Sequence, residues 1–143
     1  MFKGNTSENM SCTNTFASLR IFSKNISPTE MTFALKILPT NQRPRDIGSK
    51  IRSHRDTHYW NWSTEGRVNS NKTSEHLDAI IELLDEKQGA IYKLQEQGCQ
   101  IDIFCFWSFD GQGVISLPTH TMGQLVKLGI GVHWDVYYDD ETE

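Results

Sequence analysis

Long apolar runs are missing from this sequence. No stretch approaches the roughly 20 consecutive apolar residues of a membrane helix, so no membrane-spanning helix is predicted. Cysteine is scarce: there are 3, Cys12, Cys99 and Cys105, an odd number with no CxxC spacing. That usage excludes a disulfide framework and predicts a reduced, cytoplasmic protein. An excess of positive charge is also absent. Lys and Arg number 14 against 18 Asp and Glu, for a net charge of −4. With a pI near 5.7, the balance argues against nucleic acid or an anionic membrane as partner.

Catalytic signatures are missing as well. There is no GxSxG, no Walker-type loop and no GxGxxG; GQGVIS and GIGV are too short and wrongly placed to cradle a phosphate. His54 and His58 have the i, i+4 spacing of a helical metal pair. However, the segment runs on into a strand and no third ligand stands nearby, so no metal is predicted. Cys105 sits in an apolar run and reads as an inert core thiol. Cys99 lies at a strand edge, and neither has a His neighbour in sequence to activate it. The balance favours a binding protein over an enzyme, with no cofactor required.

What is present is enough for one domain. The chain has 143 residues, 37% of them hydrophobic, and a domain of this length buries roughly two-thirds of its unfolded surface. Residues 1–14 lack the apolar stretch of a secretory signal and are predicted as a disordered arm; 139–143, DDETE, are predicted as a solvated acidic tail. The domain is expected between them, over residues 15–138.

Residues 15–23 alternate and predict a strand. SPTE at 27–30 predicts a helix start with Ser27 as cap and Glu30 closing a capping box. Met31, Ala34, Leu35 and Leu38 then form an apolar stripe up to Pro39. Residues 39–57 are polar and Arg-rich and are predicted as a long loop. HYWNWS predicts a second strand, and residues 74–97 a helix that Gly89 kinks or splits. CQIDIFCFWSF, a DGQG turn and VISLP predict two further strands. THTMGQLVKLG predicts a helix with Thr121 and Gln124 as a capping box, and IGVHWDVYY the last strand. The order β-α-β-α-β-β-α-β is α+β. It predicts a two-layer sandwich: a single mixed or antiparallel sheet with helices on one face and a ferredoxin-like second portion.

Alternation also sorts the aromatics. Trp60, Trp62, Trp107 and Trp134 fall on the face expected under the helices. Arg20, Phe22, Tyr59, Asn61, Phe104, Phe106, His133, Asp135 and Tyr137 fall on the other. A face open to water seldom carries so many rings, and such a patch marks a partner, ligand or dimer surface. The candidate binding residues are therefore Arg20, Tyr59, Asn61, Phe104, Phe106, His133, Asp135 and Tyr137. They would serve an unknown protein partner or a homodimer. The alternative is a small-molecule site or an enzyme, with residues 39–57 as a lid and Arg20, His133 and Asp135 as polar anchors. Asp102, His133 and Asp135 could act as an acid/base group, but a cross-strand pair between an Asp and Arg20 is the simpler reading. Arg43, Arg45, Lys50, Arg52 and Arg55 form the one basic cluster, able to hold an anion or simply to solvate a loop.

Several segments in order resemble an uncharacterised bacterial family, domain of unknown function 4279. They are SPTEMTFALKILPT with Gly48, YWNWST, SEHLDAIIELLDE, CQIDIFCFWSF, and MGQLVKLGIGVHWDVYY with its Asp135-x-Tyr137 ending. The similarity covers roughly residues 15–138. It implies a small cytosolic α+β domain and brings no activity and no catalytic residues with it. In general character, small and acidic, the chain is also similar to mobile-element cargo and toxin-immunity proteins.

Overall fold

Strand β1 spans Cys12–Ser23, beginning three residues before the alternation becomes regular. In the computed structural model, which describes residues 12–139, it sits at the middle of a five-stranded sheet. The remaining elements are α1 (Pro28–Leu35), β2 (Asn41–Arg43), α2 (Arg52–Asp56), β3 (His58–Ser63) and α3 (Thr73–Leu83). After them come α4 (Gln88–Glu96), β4 (Gln100–Phe109), α5 (Thr119–Leu128) and β5 (Gly131–Tyr138). The sheet order is β2-β3-β1-β4-β5. All neighbours are antiparallel except β4 and β5, which α5 joins as a parallel crossover. Of the predicted arm over 1–14, residues 12–14 belong instead to β1, paired with β4; residues 1–11, and 140–143 of the predicted tail, lie outside the described residues.

The α+β class and the one-sided helical layer are as expected. Ala17, Leu19, Ile21, Trp60, Ile103 and Cys105 face the helices, which contribute Met31, Leu35, Leu77, Ile80, Ile91, Leu94 and Leu125 to the same core. The Trp60 ring is fully buried, and its Nε1 donates to Thr32 Oγ1 at 2.9 Å, which ties β3 to α1. Trp62 and Trp134 pack against the same core from partly buried positions, with the Arg67 guanidinium over the Trp62 ring.

Four local expectations are corrected. VISLP is not a strand: residues 111–118 pair with nothing regular, because β1 and β5 already occupy both edges of β4. The second portion is therefore not ferredoxin-like. The fifth strand comes instead from the predicted loop, where β2 pairs with β3 and α2 follows. The 74–97 helix is split in two, but not at Gly89. It breaks at Leu84–Lys87, where Glu86 takes a left-handed φ of 64°, and Gly89 lies inside the second piece. Thr121 does not cap α5, which starts two residues earlier; its hydroxyl donates to Asp78 Oδ1 and docks α5 on α3.

The start of α1 follows the sequence closely. Glu30 N donates to Ser27 Oγ, and Ser27 N donates to Glu30 Oε1. That arrangement also holds the Glu30 carboxyl below its ordinary range. The end does not: Lys36 turns left-handed at φ 59°, so the helix stops at Leu35 and Leu38 of the stripe is left exposed.

Candidate functional site

Register places the predicted binding residues on one surface. Across β3, β1 and β4, Asn61, Arg20 and Asp102 stand in one row; Tyr59, Phe22 and Gln100 form the next. On the other side Ser63, Ser18, Phe104 and His133 align, then Phe16, Phe106 and Asp135, then Ser108 and Tyr137. All eight candidates, Arg20, Tyr59, Asn61, Phe104, Phe106, His133, Asp135 and Tyr137, share this face.

The face is a connected set of rings around one ion pair. Arg20 Nε and Nη2 donate to the two oxygens of Asp102 at 2.8 and 2.9 Å. The same guanidinium lies 5.2 Å from the Phe22 ring centre and 5.0 Å from that of Phe104. Phe22 meets Tyr59, Phe16 stacks on Phe106, and Phe106 meets Tyr137, with centroids between 5.1 and 5.4 Å. Asn61 Nδ2 donates to the Tyr59 hydroxyl, and Arg43 lies over the Tyr59 ring. Burial pushes the Tyr59 phenol up, against the pull of Asn61 and of the Arg20 guanidinium. The cross-strand pair thus engages Asp102, one of the two acids of the acid/base group, while Asp135 stands two rows away beside Phe106. His133 Nε2 comes within 3.5 Å of Asp102 Oδ2 while its side chain stays largely exposed.

Phe16 and Phe22 were not among the candidate residues, although alternation puts both on this face. Arg43 was assigned to the basic cluster. The signal that could have found it is its place in β2 opposite Tyr59, which was hidden because residues 39–57 read as loop.

The basic cluster does not converge on a common point. Arg43 donates from one nitrogen to the carbonyls of Pro44, His54 and Thr57. Arg45 donates to the Arg55 carbonyl, Arg55 to that of Ser49, and Arg52 and Arg55 both face Asp56. Lys50 is exposed. The Arg43 and Arg45 guanidiniums hold carbonyls at the end of a five-residue helix. The bonds that residues 44–57 make run within the segment, to Arg43 of β2, and to His58, whose Nδ1 accepts from Arg45 N. Those bonds dock the segment beside the β3 edge, away from β4 and β5.

A hollow of about 580 Å³ at the start of β4 is lined by Phe22, Cys99, Gln100, Asp102 and His133. Burial pushes the Cys99 thiol up, which opposes thiolate chemistry there. Cys105 is deeper, and burial pushes it up to about 12, with the Thr73 hydroxyl pulling weakly the other way. Among the described residues no group of three or more His, Cys, Asp or Glu is arranged to hold a metal. Nor is any described helix long and apolar enough to cross a membrane.

The model of the family described as Domain of unknown function (DUF4279) matches residues 12–139. The chain belongs to that family. The matched span covers all ten elements, from the first residue of β1 to the residue after β5. No curated protein and no solved structure matches the chain.

Proposed function

We propose that this DUF4279 domain is a protein-interaction module that engages its partner through the open face of the sheet. The observation that carries this reading is the ring surface itself: Phe16, Phe22, Tyr59, Phe106 and Tyr137 make stacked or tilted ring contacts, and Phe22 and Phe104 flank the guanidinium of a neutralised Arg20–Asp102 pair. Partly exposed aromatics with an Arg at the centre are the composition of an interface core. A reaction site needs a free base or acid and a cavity that excludes water. Here the central acid is already engaged, and the hollow beside it, lined by Phe22, Asp102 and the largely exposed His133, is open to water; further hollows of about 540 and 590 Å³ lie on the helix side. The buried thiols Cys12, Cys99 and Cys105 fit a reducing compartment such as the cytoplasm. A small, acidic interaction domain of this kind also fits an immunity-like role.

The test is affinity capture from the host lysate with the tagged wild type and a Tyr59→Ala, Phe104→Ala double variant. Both side chains are partly exposed, so the variant is expected to fold with a circular dichroism spectrum like that of the wild type. The wild type is expected to retain a stoichiometric protein and the variant to lose it. Retention by both contradicts the reading.

A further inference from the structure

We infer that the domain dimerises through the outer edge of β5, pairing antiparallel with the same strand of a second copy across a twofold axis at Trp134. The sheet has two edges, and they are built differently. β2 is three residues long, begins no further strand, and is flanked by Pro44 with Arg43 and Arg45 turned onto nearby carbonyls. These are the devices that blunt an edge. β5 is eight residues long and runs against β4 without a register shift. It contains no Pro, Lys or Arg, and among the described residues no strand pairs with its outer side. Val136, Tyr137 and Tyr138 at its end are 48%, 53% and 61% exposed. Nothing of α5 needs to lie over that edge, because Thr121 ties the helix inward to Asp78 and Gln88 Nε2 donates to the Lys127 carbonyl.

Charge selects the second copy as occupant and fixes the register. Side chains alternate with period 2, so a strand that extends the sheet with its faces matched has only alternate registers open to it. A twofold axis passing through residue 135 would set Asp135 against Asp135, a like-charge pair. Moved to Trp134, the axis sets His133 of each copy opposite Asp135 of the other, twice over by symmetry. The same register sets Val132 against Val136 and Trp134 against Trp134 on the helix side, and Gly131 against Tyr137 on the open side. The strand is thus complementary to its own antiparallel image. Pairing would join two open faces into one ten-stranded surface. The inference stands apart from the proposed partner binding: it concerns the edge, whereas that reading concerns the centre of the face.

The experiment is light scattering of the full chain over a dilution series, beside Val136→Lys and Val126→Lys variants. Val136 is half exposed, so a lysine there leaves the monomer intact while placing a charge against the opposing Val132. Val126, 79% exposed on α5, controls for the added charge. The wild type and Val126→Lys are expected at twice 16.4 kDa, with Val136→Lys at the single mass and a circular dichroism spectrum like that of the wild type. A wild type of single mass at the highest concentration overturns the inference, as does a dimer that survives Val136→Lys. Hydrogen exchange distinguishes the occupants: β4 already protects one alternate set of β5 amides, so slow exchange in a monomer at the other set, turned away from β4, would assign the edge to another segment of the same chain and likewise overturn the inference.

Discussion

Arg20 and Asp102 stand opposite each other on β1 and β4 and make two parallel hydrogen bonds, Nε to Oδ1 at 2.8 Å and Nη2 to Oδ2 at 2.9 Å. The pair is partly screened from water, with side chains 25% and 21% exposed, and it sits between two phenyl rings. Two-point geometry of this kind is stronger than a lone surface ion pair. Asp102→Ala is expected to cost about 1–3 kcal/mol by leaving the guanidinium without its acceptor. A double variant, Arg20→Met with Asp102→Leu, should cost less than the sum of the two single changes. Urea unfolding of the four proteins in the cycle measures the coupling, and additive effects would mean that the pair contributes nothing.

His76 is almost fully buried, at 1% exposure, and its protonation pattern follows from its partners. Nε2 faces the Ser70 carbonyl, which can only accept, so Nε2 carries a hydrogen. In the neutral ring Nδ1 then accepts from the Thr64 hydroxyl, whose oxygen in turn accepts from Ala17 N. The relay joins α3 to β1 through the turn after β3. Thr64→Val breaks it and is expected to destabilise by about 1–3 kcal/mol, since both Ala17 N and His76 Nδ1 lose a buried partner. Thermal or urea unfolding checks this; an unchanged midpoint would show that water takes the place of the hydroxyl.

Cys105 predicts an alkaline limit to stability. Its thiol rises from the ordinary 9.0 to about 12 because burial disfavours the thiolate. Between those values the folded chain keeps a proton that the unfolded chain releases. Its contribution is therefore complete below pH 9.0 and is lost as pH rises towards 12. Tyr59 and Cys99 shift in the same direction. Unfolding free energy is expected to fall above pH 9.0, and to fall less steeply in Cys105→Ala. Equal slopes for the two proteins would contradict the assignment. The native thiol should also resist alkylation at neutral pH until the chain unfolds.

Arg43 anchors residues 44–57 through the three carbonyls that it reaches. Arg43→Ala is expected to open that segment to limited proteolysis while the global unfolding midpoint shifts by less than about 1 kcal/mol. A variant as resistant as the wild type would mean that β2 alone holds the segment.

Much of this was legible in the sequence, for identifiable reasons. The eight candidate residues reach one face because period-2 alternation is rigid once a strand exists, and β1, β3, β4 and β5 all alternate clearly. Ser27 and Glu30 announced the α1 start because a capping box is a local device. What failed depended on distant partners. VISLP has strand composition, but β4 had no free edge to offer it. Asn41–Arg43 has no strand composition and became one because β3 presented an edge. Leu38 continued the helical stripe in sequence, yet Lys36 turned left-handed before it. The Arg20–Asp102 pair was foreseeable as a cross-strand contact, whereas the stacking of Phe16 on Phe106 needed the β1–β4 register.

The central claim is that the ring surface is covered when the protein is in use. Hydroxyl-radical footprinting of the captured complex against the free protein tests it most directly. Tyr59, Phe104, Phe106 and Tyr137 are expected to lose most of their oxidation in the complex, while Phe33 and Tyr92 on the helix side, 83% and 62% exposed in the free chain, keep theirs. Protection of Phe33 and Tyr92 with the four open-face rings unchanged would move the interface to the helices and contradict the account.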